Sequence, residues 1–147
     1  METSLGKIEV YRLAHDLAVR IHAMSLTLPG FERFEEASQI RRSSKRVSAC
    51  LVEGHTLRKY KALFLSYLYR ALASCDETQE HLMLLKDTGS LADAEAHRSL
   101  SEGSAELSGK LFRFIQGVER HHEPPHYLTG LPPRDSETSR NDEGLLS

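Results

Sequence analysis

Apolar residues recur at alternating steps of three and four positions in four separate segments of the chain. This spacing keeps them on one side of an α-helix, so each segment predicts a helix with one core-facing stripe. The predicted helices run from about Ile8 to Leu26, Phe34 to Glu53, Leu57 to Thr88 and Ser90 to Arg120. No segment has the strict alternation of a strand, and the pattern therefore predicts an all-α protein.

The four stripes define the expected core, and Phe31 and Phe34 are expected to close one end of it. In chain order the stripes are Val10, Ala14, Leu17, Ile21, Met24 and Leu28; Ala37, Ile40, Ser44, Val47 and Leu51; Phe64, Leu68, Ala71, Cys75, Thr78, Leu82 and Leu85; and Leu100, Ser104, Leu107, Leu111, Phe114 and Val118.

Turn-forming residues separate the stripes. Pro29-Gly30 is expected to end the first helix, Gly54 the second and Gly89 the third, while Ser90-Leu91-Ala92-Asp93 resembles a capping box for the fourth. Four helices of similar length joined by short links are typical of an antiparallel up-down-up-down bundle.

A chain of 147 residues and 16.6 kDa fits one domain. We expect the bundle to occupy residues 1–121 and a flexible tail to occupy 122–147, where prolines and mixed charges replace the apolar stripe. No apolar run is long enough to span a bilayer, and the N-terminus lacks a secretory signal pattern, so we expect a cytoplasmic protein without membrane contact.

The formal charge of −2 hides an uneven distribution along the chain. Between positions 33 and 61, eight basic residues face three acidic ones, which leaves +5. Between positions 62 and 106, three basic residues face eight acidic ones, which leaves −5. If these two parts pack side by side, their charges can neutralise one another.

The basic residues of the second helix form two short rows, because Arg41 and Lys45, and likewise Arg42 and Arg46, are four positions apart. Such rows suit phosphate groups, and Tyr60 in the following turn can stack on an unpaired base. The alternative is pairing with acidic residues of the third helix or with another subunit. The candidate nucleic-acid-binding residues are Arg41, Arg42, Lys45, Arg46, Arg58, Lys59 and Lys61.

The first half of the third helix is apolar over more than one face. Leu63 and Tyr67 lie on one side of its stripe, and Leu65, Tyr69 and Leu72 lie on the other. This width favours a subunit interface formed by Leu65, Tyr69 and Leu72. A central helix that contacts several neighbours within one chain is the alternative.

No catalytic, metal or cofactor motif is evident. Cys50 and Cys75 have neither metal-ligand nor disulfide spacing and are expected to be buried thiols. Glu119-x-x-His122 has the spacing of one half of a di-metal site, but it stands at a helix end without the second such motif that the site requires. We therefore expect a non-enzymatic protein without metal or cofactor.

The predicted helices carry several short motifs. They are Gln39-Ile40-Arg41-Arg42; Val47, Ala49, Leu51 and Glu53-Gly54; Ser74 and Glu77; Ile8-Glu9-Val10-Tyr11; and Gly89-Ser90-Leu91. Together these motifs resemble the 23S rRNA intervening-sequence proteins, a family also called four-helix bundle proteins, from about Ile8 to Arg120. Arg46, Ser48 and Cys50 stand where the family commonly has Ser, Pro and Asn.

The resemblance implies a left-handed bundle that assembles into a ring-shaped homopentamer. A related branch of the family binds nucleic acid and a reverse transcriptase. Together with the basic second helix, this leads us to expect a homo-oligomer that binds RNA or DNA. The alternative is a ring-shaped scaffold for a partner protein such as a reverse transcriptase.

Overall fold

The structure is a computed structural model that describes Leu5 and residues 8–123. Four α-helices make up most of this region: α1 (Glu9–Ser25), α2 (Glu36–Thr56), α3 (Lys61–Asp87) and α4 (Ala94–His121). A short 3-10 helix, Gly30–Phe34, joins α1 to α2. The described residues contain no strand, which confirms the all-α prediction. The predicted tail lies outside the described residues from position 124 onward.

The predicted stripes form one continuous core between the four helices. All residues of the second and third stripes are buried, as are the first five of the first stripe. The exceptions are Leu28 and Phe114, which are only partly buried. In α4 the neighbouring Ile115 is fully enclosed instead, because it lies four residues after Leu111 on the same face.

Contacts between helix ends show how α2 and α3 lie beside each other. At the start of α2, Glu36 Oε2 lies 2.7 Å from Nδ1 of His81, near the end of α3. At the other end of α2, Gly54 contacts Tyr67, near the start of α3. The pairs α1 with α2, α3 with α4 and α1 with α4 also pack directly.

Gly54 does not end the second helix, contrary to the sequence prediction. The helix continues to Thr56, and Gly54 is buried within it. A Cβ atom added there would lie 3.1 Å from the Cβ of Tyr67 and 3.4 Å from Cδ1 of Phe64. Glycine is therefore present because α3 approaches the α2 backbone closely, whereas Gly89 has a φ of 79° and ends α3 as predicted.

Buried hydroxyl groups line the helix contacts. The Thr78 hydroxyl lies 2.8 Å from both the Ser43 hydroxyl and the Ser74 carbonyl oxygen. Ser43 in turn donates to the Ile40 carbonyl of its own helix at 3.3 Å. The small side chains of Ser43 and Thr78 keep α2 and α3 close, and each of these two hydroxyls has a partner in its own helix. The buried hydroxyl residues of α2, α3 and α4 are Ser43, Ser44, Ser74, Thr78 and Ser104.

Two further predictions at helix ends are wrong by a few residues. The third helix begins at Lys61 rather than Leu57, because the Tyr60 amide bonds back to the Leu57 carbonyl in a turn. The fourth helix begins at Ala94, and its N-cap is Asp93, whose carboxylate accepts a bond from the Ala96 amide. The capping residue is therefore the last of the predicted box and not Ser90.

The aromatic residues of the first connection do not close the core. Phe31 and Phe34 are 69% and 82% exposed, whereas Glu32 between them is buried. The 3-10 helix turns Glu32 inward, and its Oε2 atom has no hydrogen-bond partner among the described residues. Burial, followed by the nearby charges of Glu35 and Glu36, raises the pKa of the Glu32 carboxyl.

We expect Gly54→Leu to lower the free energy of unfolding by about 1–3 kcal/mol, because the new side chain would force α2 and α3 apart. Urea denaturation followed by circular dichroism measures this change. Gly117→Leu is the matched control, since a Cβ added there meets nothing within 4 Å. It should leave the stability unchanged or raise it by up to about 1 kcal/mol. Equal losses of unfolding free energy at both positions would contradict the close approach of α3 to Gly54.

We expect Glu32→Gln to raise the melting temperature at pH 7 and to have little effect near pH 4. A raised carboxyl pKa means that the folded state favours the protonated form. The stabilising contribution of the protonated Glu32 carboxyl to the free energy of unfolding is therefore complete below the pKa of the unfolded state, about 4.3. It is lost as pH rises through the pKa of the folded state. Thermal melts from pH 4 to 8 test this, with the exposed Glu80→Gln as control. A stabilisation independent of pH would contradict it.

Candidate nucleic-acid interface

Three basic side chains of α2 are exposed beside its buried stripe: Arg42, Lys45 and Arg46. Arg42 and Arg46 are one helical turn apart, a rise of about 6 Å. Within residues 8–123, none of these three side chains has a carboxylate within 4.0 Å. This face of α2 therefore presents positive charge that the described part of the chain does not pair.

Arg41 is engaged by neighbouring elements. Its guanidinium donates to the Ser25 hydroxyl at 3.0 Å and to the Arg33 carbonyl at 3.3 Å. It therefore joins α2 to the end of α1 and to the 3-10 helix. Lys45 follows one turn later beside His15 and His22 of α1, so both residues lie on the side of α2 that borders α1.

The basic residues of the α2–α3 turn are largely engaged in joining helix ends. Arg58 donates to the His55 carbonyl at 2.8 Å, and Lys61 donates to the Glu119 carbonyl at 2.9 Å. The Arg58 carbonyl in turn accepts a bond from Nε2 of His122 at 3.0 Å. The turn is thus fastened to the end of α4, and it does not extend the α2 row as one continuous patch.

The acidic residues expected to neutralise α2 point elsewhere. Asp76 accepts a bond from Ser108 of α4 at 3.0 Å, and Glu77 lies 3.6 Å from His81 of its own helix. Glu80 is exposed. Neutralisation of α2 by these three carboxylates is therefore not found among the described residues.

One aromatic and basic pair near α2 was not among the sequence candidates. The Arg70 guanidinium lies over the Tyr67 ring, 4.9 Å from its centroid. Burial and the charge of Glu53 raise the pKa of the Cys50 thiol, while a hydrogen bond and the charge of Arg46, followed by the charge of Arg70, oppose that shift. In the sequence, Arg70 lies in the net acidic part of the chain. Its position three residues after Tyr67 nevertheless indicates that the two side chains can meet on the helix surface.

The residues predicted to form a subunit interface face α4. Leu65 and Leu72 are partly buried against the core, while Tyr69 is 46% exposed. The Tyr69 hydroxyl donates to Glu119 Oε1 at 2.6 Å, and this bond raises the pKa of the phenol. The contacts match the alternative of a central helix with several neighbours, and the subunit interface stays a prediction.

No arrangement among the described residues favours metal or redox chemistry. They include no group of three or more His, Cys, Asp or Glu side chains suited to hold a metal ion. Cys50 and Cys75 are buried free thiols, as predicted, and burial raises the pKa of Cys75 to about 11. Over the same residues, no helix is both long and apolar enough to cross a bilayer.

A cavity of about 400 Å³ opens at the end of the bundle where α2, α3 and α4 meet. Its lining includes Phe64, Phe114 and His122, and the His122 ring packs edge-on to Phe64 at 4.9 Å. The walls are mainly apolar, and we assign no role to the cavity.

Comparison with known proteins gives a family and a structural relative. A family model for the 23S rRNA-intervening sequence protein matches residues 6–113. One similar crystal structure is a protein of unknown function from the S23 ribosomal protein family of Bacteroides thetaiotaomicron. It is 28% identical, with a TM-score of 0.66, over 73% of this chain and 95% of that chain. No curated protein sequence matches this chain.

Proposed function

The chain belongs to the 23S rRNA-intervening sequence protein family, and on that premise we propose that it is a non-enzymatic protein that binds nucleic acid. The observation that supports this proposal is the exposed, unpaired basic face of α2. Arg42, Lys45 and Arg46 have no carboxylate partner among the described residues, so an external anion can occupy this face.

Phosphate is the anion that best suits these side chains. Guanidinium groups donate paired hydrogen bonds to phosphate oxygens, and Lys45 adds a point charge on the same helix. The total charge of −2 means that the rest of the molecule does not attract a polyanion. Binding should therefore depend on this local face and weaken steeply with salt.

We also propose the order of the helices in the bundle, its handedness and the number of subunits. The helices form a left-handed up-down-up-down bundle, and the protein is a homo-oligomer with five subunits. Support for the helix order comes from the contacts of Glu36 with His81 and of Gly54 with Tyr67. Support for association comes from exposed apolar side chains on α3 and α4, such as Tyr69 and Phe112.

We expect the double substitution Arg42→Glu with Arg46→Glu to weaken binding of a structured RNA and to reduce the slope of log K against log salt by about 2, one for each lost phosphate contact. Fluorescence anisotropy between about 50 and 200 mM salt measures both effects.

The matched control for that experiment is Arg12→Glu with Arg113→Glu. Both residues are exposed basic side chains of other helices, and the change in net charge is identical. The control should retain most of the affinity. An equal fall of RNA affinity in both double variants would reflect net charge alone. If the wild type binds no RNA, the alternative function as a scaffold for a partner protein is favoured.

We expect sedimentation equilibrium to give a mass of about 83 kDa, five times the 16.6 kDa of one chain. Tyr69→Arg should reduce this mass, because a charge at the proposed interface would be desolvated on association. Phe31→Arg, at an exposed aromatic residue near the other end of the bundle, should leave the mass unchanged. A monomeric wild type would refute the oligomer.

A further inference from the structure

The strongest additional feature is the stack of Arg70 on Tyr67, beside α2. Tyr67 is partly buried and touches the α2 backbone at Gly54, whereas Arg70 is exposed. The guanidinium lies 4.9 Å from the ring centroid and covers the ring. Stacking holds the side chain in place, so a flat, positively charged surface is available at the side of α3 that borders α2.

Arg46 lies in the part of α2 that runs along the Arg70–Tyr67 stack. In α2 it stands between Ser43, which contacts Thr78, and Gly54, which contacts Tyr67, while Arg70 stands between Tyr67 and Thr78 in α3. Arg42 follows one turn earlier on α2. The surface along the α2–α3 contact therefore combines phosphate-binding side chains from one helix with a stacking surface from the other.

A second stack stands at the start of α3. Lys59 Nζ lies 5.5 Å from the centroid of the Tyr60 ring, which is 38% exposed. Tyr60 and Tyr67 are seven residues apart, about 10 Å along the helix. Two aromatic rings, each with a basic side chain over it, therefore lie near the same edge of α3.

One carboxylate also borders this surface, and it limits what the surface can bind. Glu53 of α2 is exposed, and its charge acts on Cys50 against those of Arg46 and Arg70. It offsets part of the positive charge, so phosphate attraction alone is modest here. A ligand that also gains energy from stacking is favoured over one that offers only phosphates.

We infer that the surface between α2 and α3 binds single-stranded nucleic acid by stacking an unpaired base on the Arg70–Tyr67 pair while Arg42 and Arg46 contact phosphates. Unpaired bases expose their faces to aromatic rings and guanidinium planes, whereas bases within a duplex are already stacked and paired. The inference rests on the proposed function and adds to it the class of ligand and the stacking residues.

The experiment compares three probes on the full chain at low salt: a 15-nucleotide thymidine oligomer, an abasic oligomer with the same number of phosphates, and a 15-base-pair duplex. We expect the thymidine oligomer to bind about 5-fold or more tightly than the abasic one, the lower range of one base stack. A uridine oligomer of equal length distinguishes RNA from DNA as the source of the strand.

Arg70→Lys is the decisive variant, because it keeps the charge and removes the planar group. It should remove most of the preference for thymidine over the abasic oligomer. Arg113→Lys, on the exposed surface of α4, is the matched control and should retain the preference. Tyr60→Leu should reduce the preference in part.

The outcomes separate this inference from the proposed function. Equal, salt-sensitive binding of the thymidine and abasic oligomers would overturn the stacking inference and leave the phosphate-binding proposal intact. A preference that survives Arg70→Lys would also overturn the assignment to this stack. Failure to bind any probe or structured RNA would overturn the proposed function itself.

Discussion

The close packing of α2 against α3 determines where the candidate binding side chains lie. Gly54 lets the two backbones approach until Tyr67 and Phe64 reach the surface of α2, and Ser43 meets Thr78 further along the same contact. Because these contacts are made by small residues, the larger side chains at the edge of the contact are displaced outward. Arg46 and the Arg70–Tyr67 stack consequently border one surface, although they come from different helices.

Much of the fold could be predicted from the sequence because burial in a helical bundle is periodic. The stripes of α2 and α3 are entirely buried, and the helix limits differ from the predictions by only a few residues. The errors occur where a local signal has two physical meanings. Gly54 has the residue type of a helix end, but its role is to admit a neighbouring helix. Phe31 and Phe34 are apolar enough for a core, but the turn of the 3-10 helix places Glu32 inside instead.

The candidate site was less predictable, because the state of a charged side chain depends on contacts far away in the sequence. Arg42 and Arg46 are exposed as expected from their position opposite the stripe. Arg41 and Lys61 instead bind carbonyl groups at Arg33 and Glu119, and no periodicity within one helix indicates such partners. Arg70 was missed although its partner Tyr67 lies three residues earlier, because its place beside α2 depends on how α3 packs against that helix.

The buried hydroxyls have a consequence for motion within the bundle. Thr78 and Ser43 each have a carbonyl partner one turn earlier in their own helix, so their polar groups remain satisfied if the bond between them breaks. A small sliding of α2 along α3 would therefore leave neither of these two hydroxyls without a partner. Such a contact allows α2 and α3 to slide slightly past one another, so the width of the surface between them can change.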